Sequence, residues 1–329
     1  MIQVGDYVVR ISYNRDVMFK VIEIKSNGHV RLKGISFRII ADAWIDDLEL
    51  ASGMRFTTKE SRVMEKIQES MAKLLAERER SKKIGSVNLE KTGKVLHVDG
   101  DAFYLGICMK YYEMLGVHAV GETVLEVQQP KRVKELVQKY SPDILVLTGH
   151  DALNKNYEDI KSLGEYKNTK YFAEAVIEAR KVNKGLIIFA GACQSNFEAL
   201  LDAGADYAAS PSRVLIHALD PVFVVERIAH WPFNEVLSIE QAIEYTITKY
   251  EGVGGFEVFG TARKGGPIQQ KLMKGKTRQV VQCSIEGLDK AGLMRAFRSR
   301  QETGKSVNQR ESEESIETYV GNSMPSDKL

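Results

Sequence analysis

Two short, fully apolar runs limit the folds open to this 329-residue chain more than any other feature. Ile144–Leu147 is followed by Thr-Gly-His-Asp, and Leu186–Ala190 is followed by Gly-Ala-Cys-Gln-Ser. Continuous apolar runs that stop in small turn residues indicate strands buried on both faces of a parallel sheet. Because ligands and catalytic groups lie beyond the carboxyl ends of such strands, the pattern predicts that His150 and Cys193 lie at one functional edge.

The alternation of strand-like and helix-like segments predicts how the rest of the chain is organised. From Lys94 to Ala208 the two kinds of segment alternate, which is typical of right-handed β-α-β crossovers in an α/β, doubly wound, mostly parallel sheet. Helices are also predicted over Leu215–Ala229 and Ile239–Tyr250, and an edge strand over Phe256–Phe259.

Four regions follow from these patterns. Short β-prone runs separated by turns predict a small SH3-like β-barrel over residues 1–52. Apolar residues at helical spacing predict a helical linker over residues 53–92, and the α/β catalytic domain follows over residues 93–265. Residues 266–329 are polar and are predicted to be a disordered tail, most clearly from Arg298 onward.

Composition narrows the class of protein and its compartment. Lys and Arg number 46 against 44 Asp and Glu, so charge gives no case for nucleic acid or membrane binding. The three cysteines are widely spaced and fit neither a disulfide framework nor a zinc site, and no apolar run is long enough to span a bilayer. We expect a cytoplasmic protein that needs no cofactor.

The turn that carries Cys193 has the features of a nucleophile site. A helix is predicted to start near Ser195, and the backbone N–H groups at its start would favour a thiolate and supply donors to an oxyanion. We predict that Gly149 and Cys193 provide the oxyanion donors. An inert buried thiol is the alternative interpretation, and it is preferred for Cys108, which is flanked by apolar residues on a helix.

His150 is the predicted partner of this thiol. It follows the strand one crossover earlier, and consecutive strands joined by one helix are usually neighbours in the sheet. With strands about 4.8 Å apart, the two side chains could form a cysteine–histidine dyad. His217 follows another predicted strand end, so its role stays open.

The order of histidine and cysteine along the chain separates this pattern from other enzymes of similar build. α/β-Hydrolases and class I glutamine amidotransferases place the nucleophile first and the histidine later. Histidine before cysteine, each after an apolar strand, is the caspase-like order, and Gly-Ala-Cys193-Gln agrees in part with the caspase signature Gln-Ala-Cys. Gly149-His150 inverts the usual His-Gly pair of that clan, which leaves the first oxyanion donor open.

Four segments of the chain resemble the YabG family of sporulation-specific proteases from spore-forming Firmicutes. They are Gly93–Asp101, Pro142–Asp151, Phe189–Ser195 and Ala209–Pro221. The resemblance implies a cysteine endopeptidase of the mother cell, in the cytoplasm or at the spore coat, that processes coat and morphogenetic proteins beside basic residues. It also implies that Cys193 is the nucleophile and His150 the general base and acid.

Recognition of a basic substrate residue needs a carboxylate partner. Four aspartates lie near predicted strand ends: Asp151, Asp202, Asp206 and Asp220. Asp151 and Asp206 are the preferred candidates. Self-processing at the basic runs Arg78–Lys83 and Lys271–Arg278 is a further hypothesis.

Two other functions compete with the protease. Asp99 and Asp101 at the end of the first strand could hold Mg²⁺ in an aspartate-nucleophile phosphatase, although no acidic pair suited to that mechanism follows Leu186. In the protease these two aspartates would position loops or bind a structural cation. The third hypothesis is a non-enzymatic scaffold for coat assembly.

Overall fold

The computed structural model describes residues 1–15, 17–51, 58–84 and 89–265. The predicted disordered tail over residues 266–329 and parts of the predicted linker lie outside the described residues. None of the helices within the described ranges is long and apolar enough to cross a bilayer.

An antiparallel sheet of five strands forms the N-terminal part of the chain. Its strands are β1 (Tyr7–Arg10), β2 (Met18–Ile24), β3 (His29–Gly34), β4 (Ile40–Trp44) and β5 (Leu48–Leu50). They lie in the order β4-β3-β2-β1-β5, and alternate side chains such as Val8, Phe19 and Leu32 are buried in a shared core. These antiparallel strands and their turns agree with the β-rich region that the sequence predicted here. Closure into an SH3-like barrel stays a prediction.

A single long helix, α1 (Thr58–Ile84), follows this sheet, as the apolar spacing predicted. Ile67, Met71 and Leu74 are buried along one face. These positions recur every three to four residues, so the helix packs by one stripe.

The remaining elements alternate before ending in short strands and helices. They are β6 (Leu89–Lys91), β7 (Lys94–Asp99), α2 (Ala102–Met114), β8 (His118–Thr123), α3 (Gln129–Tyr140), β9 (Ile144–Thr148), α4 (Thr169–Val182), β10 (Ile187–Ala190), α5 (Phe197–Asp202), β11 (Tyr207–Ala209), α6 (Asp220–His230), β12 (Val236–Leu237), α7 (Ile239–Ile243), α8 (Lys249–Gly252), β13 (Val253–Gly255), β14 (Val258–Phe259) and β15 (Arg263–Gly265).

The central sheet has six strands in the order β13-β11-β10-β9-β7-β8. All neighbouring pairs are parallel except β11 and β13, which confirms the α/β class with a mostly parallel sheet. The expected adjacency of the strands before His150 and Cys193 is also confirmed, since β9 pairs with β10. Leu96 and Val98 of β7 pack in one core with α3 and α4, while His97 between them contacts Tyr112 of α2 on the other face.

Three predicted elements have different bounds in the structure. The helix expected from Leu215 begins at Asp220 instead, because the preceding backbone is used elsewhere: Ile216 O accepts from Cys193, and His217 pairs with Phe37. The helix expected over Ile239–Tyr250 is divided into α7 and α8. The predicted edge strand at Phe256–Phe259 is also displaced, since β13 forms the sheet edge and β14 pairs with β12.

Candidate active site

Cys193, His150 and Asp101 follow the carboxyl ends of three neighbouring strands. β9 lies between β10 and β7 in the sheet. The last residues of β7 and β9 are opposite each other, and the last residue of β10 is opposite the penultimate residue of β9. The three site residues come two or three positions after these strand ends, so they belong to the same edge of the sheet, and the strand before His150 is the middle one.

The His150 imidazole is held by a carboxylate. Its Nε2 lies 2.9 Å from Asp101 Oδ2, and Lys33 Nζ of the N-terminal sheet lies 2.6 Å from the same oxygen. Burial alone would raise the pKa of Asp101, but its hydrogen bond with His150 and the charge of Lys33 outweigh burial and lower the pKa to about 2. A carboxylate that stays ionised favours the tautomer with hydrogen on Nε2, which leaves Nδ1 free to accept a proton.

The Cys193 thiol is almost completely buried, with 1% of the residue exposed. Its Sγ contacts Ile216 O at 3.7 Å. Burial raises the pKa of the thiol to about 11, although backbone hydrogen bonds at Ile216 and Arg38 and the charge of Arg38 oppose that rise. The thiol is therefore protonated in this conformation.

Tyr104 connects the surroundings of the two reactive side chains. Its ring lies edge-on to His150, with centroids 5.7 Å apart. Burial raises the pKa of Tyr104, and proximity to Cys193 is among the further causes. No hydrogen bond joins the thiol to the imidazole within the described ranges.

Asp151 ties together the loops that carry His150 and Cys193. Its carboxylate accepts hydrogen bonds from Ser195 Oγ at 2.8 Å and from Thr169 Oγ1, and Ser195 Oγ in turn accepts from Ala192 N–H at 2.9 Å. Burial raises the pKa of Asp151, and these hydrogen bonds counteract the rise. Its observed contacts are thus internal, and they fix the distance between base and thiol rather than offering a substrate-binding carboxylate.

Comparison with known proteins now decides the family. The profile described as YabG peptidase U57 matches residues 3–267. The chain is 41% identical over 286 residues to the sporulation-specific protease YabG of Bacillus subtilis (strain 168), which covers 81% of this chain and 98% of that protein. The chain belongs to the YabG peptidase family. Membership supports a hydrolase of the protease class that acts in sporulation. No solved structure matches the chain.

Asp206 lies away from the Cys193 edge of this YabG-family chain. It precedes β11, at the amino edge of the sheet, where it pairs with Arg180 at 2.7 Å and accepts from Ile188 N–H at 2.7 Å. Because β11 runs parallel to β10, its amino end lies opposite the edge that carries the thiol. This position gives no support to the predicted substrate-binding role of Asp206.

Gly149, the other predicted oxyanion donor besides Cys193, packs against Glu126. A Cβ at Gly149 or at Gly100 would collide with the Glu126 carboxylate. The neighbouring His150 N–H donates to Glu126 Oε1 at 2.6 Å, so that N–H is already engaged. Glycine at these two strand ends is explained by the close approach of Glu126, and oxyanion binding by Gly149 N–H stays a prediction.

His217, which the sequence left open, is a poorer base than His150. It is almost fully buried, its Nδ1 accepts from Leu219 N–H at 3.1 Å, and its Nε2 has no hydrogen-bond partner among the residues that the structure describes. Burial, followed by the charge of Arg38, lowers the pKa of His217 to about 3. A histidine that resists protonation this strongly is unsuited to take the thiol proton near neutral pH.

Asp99 is engaged in a way that leaves little room for Mg²⁺. Arg38 Nη1 and Nη2 lie 2.9 and 2.6 Å from its two oxygens, and Thr148 Oγ1 donates to Oδ2 at 2.8 Å. In the described part of the chain, no group of three or more histidine, cysteine, aspartate or glutamate side chains could hold a metal. These contacts do not favour the phosphatase hypothesis.

The sequence did not predict the contacts that Asp101 and Arg38 make at this site. Asp101 was considered as a metal ligand or loop-positioning residue, but it contacts His150 directly. The Asp-Gly-Asp sequence at a strand end was the available signal. It could not predict the contact with His150, because the sequence did not show that β7 lies beside β9. Arg38 lies far from the site along the chain, and no sequence motif marked it.

Proposed function

We propose that this protein is a cysteine endopeptidase in which Cys193 is the nucleophile and His150 the general base and acid. The observation that supports this most strongly is the placement of Cys193, His150 and Asp101 at the carboxyl edge of one sheet, with His150 in contact with Asp101. Asp101 is a positioning residue, since it would act through His150 rather than on the substrate. Ser195 and Asp151 keep the two loops at a constant separation.

The reaction follows from these positions. His150 Nδ1 takes the proton of the Cys193 thiol, and the thiolate attacks the carbonyl carbon of the scissile peptide bond. Backbone N–H groups, with Cys193 and Gly149 as candidates, stabilise the oxyanion. The carbon–nitrogen bond then breaks as His150 returns the proton to the leaving amine. Water hydrolyses the thioester and regenerates the thiol.

The proposed substrates are spore coat and morphogenetic proteins, cut beside basic residues in the mother-cell cytoplasm or at the coat. This part of the proposal is supported by the sporulation protease that the chain resembles. The proposed organisation is an SH3-like barrel over residues 1–52, a linker over residues 53–92 and a caspase-like catalytic domain over residues 93–265. Self-processing at Arg78–Lys83 or Lys271–Arg278 belongs to the same proposal, and the second run lies outside the described residues.

Matched cysteine variants test the nucleophile. Purified wild-type protein and Cys108→Ser should cleave peptides that contain arginine, whereas Cys193→Ala should remain folded and lose the activity. Cys108→Ser is the suitable control because Cys108 is also fully buried, burial raises its pKa to about 12, and serine keeps a polar atom beside Arg38. Cleavage that survives in Cys193→Ala would refute the assignment. Turnover of a phosphate ester, lost in Asp99→Asn and with a chelator, would favour the phosphatase instead.

A further inference from the structure

A segment of the N-terminal sheet lies across the Cys193 end of the central sheet. Phe37, between β3 and β4, forms an antiparallel bridge with His217, and their rings lie edge-on with centroids 5.8 Å apart. Ala218 N–H donates to Ser36 O at 3.3 Å. The segment therefore lies beside Ile216, whose carbonyl oxygen contacts the thiol. Its backbone turns tightly at Arg38, where Ile39 N–H donates to Phe37 O at 2.8 Å.

Arg38, the next residue in this segment, buries its side chain at the end of β7. The residue is 3% exposed, and its guanidinium makes the two-pronged contact with the Asp99 oxygens. The guanidinium carbon lies 4.8 Å from the centroid of the Tyr104 ring, and Nη2 lies 4.0 Å from Cys108 Sγ. The slot around Arg38 therefore has a carboxylate at its base and an aromatic wall.

The segment that carries Arg38 packs beside the residues that contact the thiol, while the Arg38 side chain fills this slot. Phe37 pairs with His217, which follows Ile216, and Ile216 O lies 3.7 Å from Cys193 Sγ. A substrate residue immediately before the scissile bond must meet two requirements: its backbone must come near the sulfur, and its side chain must enter an adjoining pocket. The placement of Arg38 is similar to that of such a residue.

We propose that Asp99 is the residue that recognises a substrate arginine immediately before the scissile bond, and that Arg38 occupies this pocket as an internal blocking residue. The proposal rests on the cysteine endopeptidase function and names its specificity residue. Two parallel N–H···O contacts require a planar guanidinium, so the pocket should prefer arginine over lysine. The Ser36–Arg38 segment must move away before a substrate can bind.

The alternative is that Arg38 and Asp99 form only a structural ion pair. A buried ion pair contributes little net stability, because the cost of desolvating both charges offsets much of their attraction. An open cleft of about 850 Å³ also adjoins the segment, with Phe37, Val214 and Leu215 in its wall. This cleft gives the segment space to move.

A binding experiment tests the pocket without any turnover. In a Cys193→Ala background, Arg38→Ala should bind agmatine, which carries a guanidinium, and its Tm should rise by several degrees at saturating ligand. 1,4-Diaminobutane, which carries only ammonium groups, should raise the Tm much less. The matched control is Arg31→Ala in the same background, because Arg31 forms an exposed pair with Glu23 on the same sheet. Equal responses to the two ligands, or no response in Arg38→Ala, would overturn the proposal.

Kinetics test the blocking role. Arg38→Ala should lower KM for an arginyl peptide at least about 10-fold with little change in kcat, because a larger fraction of the enzyme is open to substrate. Adding Asp99→Asn should reduce kcat/KM for that peptide about 30-fold or more, and Asp206→Asn should not. A folded Arg38→Ala with unchanged or higher KM would contradict the proposal.

A second variant covers the case in which Arg38→Ala does not fold. Phe37→Ala retains the ion pair but removes the ring that packs on His217, so it should also lower KM. A folded Phe37→Ala with unchanged KM would then count against blocking. If the wild type cleaves no peptide, the endopeptidase function fails, while selective agmatine binding would still identify the guanidinium pocket; this separates the two failures.

Discussion

The carboxyl ends of β9 and β10 differ sharply in their access to solvent. The His150 side chain at the end of β9 is 25% exposed and lies against charged neighbours, Asp101 and Lys33. Cys193 at the end of β10 is 1% exposed and lies beside the Ser36–Arg38 segment. His150, the proposed base, is therefore oriented and accessible, whereas Cys193, the proposed nucleophile, is covered and protonated. We expect the exposure of the thiol to limit activity more than the formation of the cysteine–histidine pair.

Removing the exposed member of the pair should have the largest effect. His150→Ala should lower kcat on an arginyl peptide on the order of 10⁴-fold, because His150 is the side chain that we propose takes the thiol proton. His118→Ala is the matched control, since His118 lies exposed on β8 of the same sheet. Steady-state kinetics on the two purified variants measure this. An equal loss of kcat in both variants, or no loss in His150→Ala, would show that His150 is not the general base.

The partner of His150 should matter less than His150 itself. Asp101→Asn keeps the size of the side chain but removes the charge that holds Nε2–H, so kcat should fall on the order of 10²-fold with KM little changed. Asp42→Asn, an exposed aspartate on β4, makes the same charge change elsewhere. A KM effect without a kcat effect would place Asp101 in substrate binding instead of histidine positioning.

The neutral His217 near the covered Cys193 should make the stability of the protein sensitive to acid. His217 stays neutral in the folded protein down to a pKa of about 3, against 6.5 for an ordinary histidine. Between these values the unfolded chain binds a proton that the folded chain does not, so the free energy of unfolding falls as pH falls. The loss should be about 2 kcal/mol between pH 7 and pH 5.

Urea unfolding at the two pH values measures that loss. His217→Gln cannot titrate and should show a smaller difference between pH 7 and pH 5, whereas His118→Gln should behave as wild type. An unchanged difference in His217→Gln would mean that the covered end does not hold a neutral histidine.

Loosening the Ser36–Arg38 segment that covers Cys193 should produce the smallest effect, roughly a 10-fold change in thiol reactivity. Because burial raises the pKa of Cys193 to about 11, its alkylation by iodoacetamide should keep accelerating above pH 9. Phe37→Ala should increase the rate at pH 8 about 10-fold through more frequent opening. Mass mapping of the labelled peptide against Cys108 gives both rates. Rapid wild-type labelling at pH 7 would mean that Cys193 is not covered in solution.

The sequence predicted the features of the site that depend on local pattern. Buried apolar runs with turn endings located β9 and β10, and chain order made them neighbours, so Cys193 and His150 were assigned to one edge. The Asp101 contact required the position of β7 beside β9, which no local pattern reveals. Arg38 required the docking of a separate sheet, and the late start of α6 at Asp220 depends on that same docking.

Asp151 and Asp206 show a related difficulty in predicting substrate-binding residues. Proximity to a strand end suggested both, but hydrogen bonds to Ser195 and to Arg180 engage them within the fold. A carboxylate near a strand end has many internal donors available, and sequence alone does not show which of them it meets.

Covalent trapping tests the nucleophile most directly. Wild-type protein incubated with an arginyl chloromethyl ketone should gain one adduct, and digestion should map it to the peptide that contains Cys193, with labelling strongly reduced in His150→Ala. An adduct on Cys108 or another residue, or inhibition of peptide cleavage without any modification of Cys193, would contradict the account.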